Sequence, residues 1–71
     1  MESKRDRFKR LAAARTTAVL RKLKVLGNCS NRGAYDYNQD DVRRVFAAIE
    51  GRVREIKAKF TNASTDEEFS L

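Results

Sequence analysis

Cys29, Asp36, Asp40 and Asp41 are the residues of this sequence whose types and spacing come nearest to reactive chemistry. Clustered carboxylates can share a metal ion or divide the work of acid and base, and a thiol can act as a nucleophile. Neither use finds its complement here. The chain has no histidine and a single cysteine, which removes any Cys–His pair, any Ser–His–Asp triad, zinc sites of the ordinary kinds and an internal disulfide. There is no glycine-rich phosphate cradle, and 71 residues leave too little volume for a deep pocket. Asp40 and Asp41 have a simpler use in the first turn of a helix. Cys29 lies just past a helix end and near Arg32. The plain reading, a small half-buried packing residue, is favoured over a reactive thiol, because a helix C-terminus disfavours an anionic sulfur. The sequence therefore predicts no enzyme, no catalytic residue, no metal, no cofactor and no small-molecule substrate.

The elements that carry these residues are helical. There is no proline, alanine and the charged helix formers abound, and β-branched residues never alternate with polar ones for long. An all-α class follows, as a single small domain with a modest core that gains from self-association. No stretch approaches the roughly 20 apolar residues of a membrane span, and the basic start "MESKRDRFKR" leads into no apolar signal core. A cytoplasmic protein without a membrane partner is expected, and the N-x-S sequons at Asn28 and Asn62 then carry no glycan.

Seven apolar residues mark the second helix, predicted from about residue 39 to 60. Val42, Val45, Phe46, Ile49, Val53, Ile56 and Phe60 recur at intervals of three and four, which places them on one stripe at about 100° per residue. Gly51 lies away from that stripe. Asn38 is the expected N-cap, its side chain accepting the N–H near Asp41, with Asp40 and Asp41 at the positive end of the helix dipole. Tyr37 and Val42 then have the spacing of a hydrophobic staple.

The first helix is predicted from about residue 4 to 26, capped by Ser3. Gly27 is expected to close it in the left-handed conformation, with Lys22 and Lys24 in the last turn. Two apolar stripes run along it. Phe8, Ala12, Val19, Leu23 and Leu26 make the first, with Thr16 in the missing place. Leu11, Ala14, Ala18 and Val25 make the second, turned by roughly a quarter turn, with Arg15 and Lys22 between them. One partner helix covers only one such stripe. Either the second helix straddles both while Arg15 and Lys22 snorkel to water, or it covers the first and another molecule covers the second. The second alternative is favoured, because a lone helix pair has too little core at this size. The expected architecture is an antiparallel two-helix hairpin over residues 1–60, dimerising into a four-helix bundle.

Residues 27–37 form the connector, longer than is usual between bundle helices. Gly27 and Gly33 permit positive φ, Asn28 and Asn31 can bond their own backbone, and Tyr35 and Tyr37 share one side of an extended segment. A self-packed loop that tucks tyrosine over the bundle end is expected. Residues 61–71 form a short acidic tail with Asp66, Glu67 and Glu68, read as disordered or as a docking element presenting Phe69 and Leu71. Thr65 and Glu68 have capping-box spacing within it.

The run "GNCSNRGAYDYNQDDVRRVFAAIEGRVREIKAKF", with "RFKRLAAART" before it, resembles a group of small uncharacterised bacterial helical proteins, often encoded in mobile elements or prophage-like regions. The resemblance rests on a G-N-x-S-N-R segment (Gly27, Asn28, Ser30, Asn31, Arg32), a Y-D-Y pair (Tyr35, Asp36, Tyr37), an acidic start at Asp41 and Val42, and Phe46, Ala48 and Ile49. It covers about residues 7–60. It implies a bacterial intracellular setting and a mobile-element accessory role, and it supplies no mechanism.

Function is thus to be sought on surfaces. The net charge of +6 belongs mostly to the first helix, where nine Lys and Arg in residues 1–26 face only Glu2 and Asp6. The favoured expectation is a protein-interaction module that dimerises or docks on a larger partner through Leu11, Ala14, Ala18 and Val25, with the connector giving specificity. The alternative is a nucleic-acid-binding accessory whose Arg7, Arg10, Arg21 and Lys24 meet phosphates, with Lys4, Arg5 and Arg32 at the ends. Such contacts read backbone rather than sequence. A charged helix face is ordinarily just solvated, which places this alternative second.

Overall fold

A computed structural model describes the backbone of residues 1–68 and the side chains of residues 1–62. The described residues are all-helical: α1 spans Lys4–Gly27, a single 3-10 turn spans Asn28–Ser30, and α2 spans Gln39–Glu68. The chain divides into two units, Met1–Asp36 and Tyr37–Leu71.

In the first unit α1 begins where the sequence places it. Ser3 is extended, and its Oγ accepts the Asp6 N–H at 3.0 Å while its carbonyl accepts the Arg7 N–H at 2.9 Å. The hydroxyl satisfies one of the N–H groups that a helix start leaves without partners, the carbonyl takes the first regular bond of the helix, and Asp6 sits in the first turn where the dipole favours it. The far end differs from expectation. Gly27 is not left-handed: it continues the helix at φ −58°, ψ −26°, and Asn28 follows at φ −65°, ψ −20°. No glycine has positive φ. The chain tightens into the 3-10 turn instead, and the Asn28 N–H turns toward the Val25 and Leu26 carbonyls. A tightened last turn satisfies terminal carbonyls without a left-handed residue. Only Lys24 falls in the last turn; Lys22 stands one turn earlier.

Past the turn, Asn31 organises the chain. Its side-chain oxygen accepts the Gly33 N–H at 3.0 Å, and its carbonyl accepts the Ala34 and Tyr35 N–H groups at 3.1 and 3.0 Å. An Asx turn of this kind provides the bend the sequence asked of glycine. Asn28 takes part through its backbone carbonyl, which accepts the Asn31 N–H at 3.4 Å.

The second unit opens on a reciprocal cap. The Asp41 N–H donates to the Asn38 Oδ1 at 2.8 Å, and the Asn38 N–H donates to the Asp41 Oδ2 at 2.9 Å. This is the capping-box arrangement with aspartate in the third helical position. Tyr37 and Val42, at staple spacing, are both half-buried. α2 then runs past Phe60, the end expected from the apolar pattern, to Glu68. The helical backbone continues there without hydrophobic periodicity and through Thr61, Asn62, Ser64, Thr65 and Asp66, which are weak helix formers, and the Thr61 hydroxyl bonds back to the Lys57 carbonyl at 3.3 Å within the helix. The side chains of Thr65 and Glu68, and the residues Phe69 and Leu71, lie outside the described ones.

Candidate functional site

Continuous helical geometry across α1 fixes the angular positions of its side chains. Leu11, Ala14, Ala18 and Val25 therefore line one strip of the helix, and Phe8, Ala12, Val19, Leu23 and Leu26 line the neighbouring one. Arg15 and Lys22 stand between them. Leu11, Ala12 and Leu26 are half-buried and the others are exposed, Val25 at 62 %. Leu20, at 60 % exposure, belongs to neither strip. It lies just outside the first strip, one turn before Leu23 and beside Thr16, Thr17 and Lys24, so the spacing of neither strip includes it.

α2 carries a single and more regular strip. Val42, Phe46, Ile49, Val53, Ile56 and Phe60 alternate intervals of four and three without a break, the repeat that keeps one seam facing a partner helix. Val42 and Ile49 are half-buried, while Phe46 and Phe60 are 48 % and 61 % exposed. No side chain among the described residues is buried.

Arg10 departs from the free basic face that the sequence suggested. Its Nε donates to Glu2 Oε1 at 2.9 Å and its Nη2 to Glu2 Oε2 at 3.1 Å, a two-pronged grip on one carboxylate. The pair spans eight positions, outside the three- and four-residue spacings by which helix ion pairs are usually found. Arg7, Arg21 and Lys24 are exposed and make no ion pair among the described residues. Thr17, on the same face, bonds back to the Ala13 carbonyl at 3.0 Å. Arg32 lies beyond the 3-10 turn and is exposed.

The remaining candidates have structural employment. Asp41 caps α2, and Asp40 pairs with Arg44 one turn on, at 3.3 Å. Arg52 and Glu55 pair at 3.1 Å. Cys29, within the 3-10 turn, is exposed rather than half-buried. Tyr35 is 53 % exposed and Tyr37 half-buried.

No known family, curated protein or solved structure matches the chain. What the arrangement can do is therefore read from its surfaces. It presents apolar strips at helical spacing, a basic α1, and a two-pronged carboxylate grip. No helix among the described residues is long and apolar enough to cross a membrane.

Proposed function

We propose that the protein is a small binding module that acts by protein–protein interaction. One observation carries this reading. Both helices display apolar strips whose large side chains are exposed or only half-buried, with no buried residue among those described. Contiguous apolar surface of this kind is the mark of an interaction site. In the arrangement we favour, α1 and α2 fold back as an antiparallel hairpin, the seam of α2 against Phe8, Val19 and Leu23 of α1. The strip of Leu11, Ala14, Ala18 and Val25 is then left for assembly. Its occupant is a second hairpin, giving a four-helix bundle, or a larger protein. The module acts by binding and not by catalysis, in the bacterial cytoplasm, as an accessory of a mobile element.

A second reading has its own observation. Arg7, Arg21 and Lys24 are exposed without an ion pair among the described residues, so the face is open to phosphates. It stands behind the first, because phosphate contact leaves the apolar strips uncovered. The experiment that separates the two compares Val25→Asp with Arg21→Glu. In the first reading Val25→Asp weakens assembly or partner binding at least about tenfold, the worth of one buried valine. In the second, Arg21→Glu weakens binding to a DNA duplex and lowers its salt dependence, while Val25→Asp leaves both unchanged.

A further inference from the structure

We infer that the assembly strip of α1 takes an amphipathic helix with acidic flanks from another protein, in preference to a second copy of this chain. The inference rests on the binding-module reading and names the occupant of the same face. Charge along the edges of the strip selects this occupant. Leu11, Ala14, Ala18 and Val25 supply an apolar seam narrow enough, at the two alanines, for a second helix to approach closely. Arg10 and Arg21 border it on one side, and Arg15 and Lys22 on the other. No aspartate or glutamate occurs between Asp6 and Asp36, so nothing on this face offsets those charges from within the helix.

Residues flanking a helix–helix seam decide which partner is accepted and which is refused. A second copy of the strip, laid parallel or antiparallel, sets arginine and lysine against arginine and lysine on both sides. A helix with glutamate at the flanks sets opposite charges there, and arginine can hold each carboxylate in two bonds. The molecule already shows that contact. Glu2 of the N-terminal segment lies on Arg10 with both oxygens engaged, at 2.9 and 3.1 Å. It occupies the place a partner's carboxylate would take, so partner binding must displace it. A nucleic acid would satisfy the same charges but would set phosphates against leucine and valine, which gain nothing from them.

The test titrates the full-length protein with three synthetic helical peptides at moderate salt, followed by fluorescence anisotropy. One peptide has leucine and alanine in the seam with glutamate flanks. The second has the same seam with lysine flanks, and the third has the glutamate flanks with serine in the seam. A short DNA duplex serves as the fourth probe. The first peptide alone is expected to bind. Val25→Asp and Arg21→Glu are each expected to weaken it at least about tenfold, with the helical circular-dichroism signal retained. Glu2→Gln is expected to tighten it by about two- to fivefold, because the internal competitor for Arg10 is gone. Equal binding of the acidic and basic peptides would overturn the inference, as would a Glu2→Gln chain that binds the acidic peptide more weakly. A chain that takes no peptide but dimerises through Val25 would also overturn it, leaving the binding-module reading standing in its self-associated form. A chain that takes only the duplex, with loss on Arg21→Glu and none on Val25→Asp, would overturn both.

Discussion

Gly27 shows how much one residue's backbone decides. A glycine directly after the last apolar residue of a helix suggests a left-handed stop, and in that conformation any side chain would be strained. In the structure Gly27 is helical, and a methyl group placed on it meets nothing within 4 Å. Gly27→Ala is therefore expected to stabilise α1 by about 0.5–1 kcal/mol, through the cost of ordering glycine in a helix. A rise in thermal midpoint or helical signal would show it, and destabilisation of more than about 1 kcal/mol would restore the left-handed stop. Gly51 lies within α2, where an added methyl meets only Arg54 Nη2 at 3.9 Å, and Gly51→Ala is expected to act in the same direction by about 1 kcal/mol. The Glu2–Arg10 pair belongs to this scale too. As an exposed pair it is worth about 0.2–1 kcal/mol, so Glu2→Gln should barely move stability and should do so less at high salt. Its effect is to be sought in binding.

At the scale of elements, the helix starts were the most legible part of the sequence. Ser3 and Asn38 each place a side-chain oxygen three residues before an N–H that needs it, and no distant residue has a say in that. The return bond, which the Asn38 N–H donates to the Asp41 carboxylate, is not marked in the sequence, because the third helical position of such a box is ordinarily glutamate or glutamine. Asn38→Ala removes both bonds and is expected to cost about 1 kcal/mol, read as a lowered unfolding midpoint of α2; an unchanged midpoint would show the cap to be idle. Helix ends were less legible. α1 closes by tightening rather than by a left-handed turn, and α2 continues for two turns after its apolar pattern stops. Hydrophobic spacing reports which residues want cover, and it does not mark how far the backbone stays helical beyond them. The candidate surfaces were legible to the same degree. The strip of Leu11, Ala14, Ala18 and Val25 follows from spacing alone. The engagement of Arg10 by Glu2 joins residues at a spacing that helical periodicity does not connect.

In the proposed function of the whole molecule, the apolar strips are the working surface and the basic residues select what covers them. Charge of one sign along both edges keeps a small protein soluble and discourages indiscriminate pairing. It also means that salt should weaken partner binding only in part, since the apolar contact persists when the charges are screened. Binding carried by phosphate contacts behaves differently and collapses by orders of magnitude over a few-fold change in salt.

Sedimentation equilibrium of the full chain tests that distinction most directly. The chain would be measured alone, with the acidic-flanked peptide, and with a short DNA duplex, at about 50 mM and about 200 mM salt. A protein–protein complex that survives the higher salt and is lost in Val25→Asp is expected. A monomer that ignores the peptide, joins the duplex at low salt and leaves it at the higher, with Val25→Asp making no difference, would contradict it.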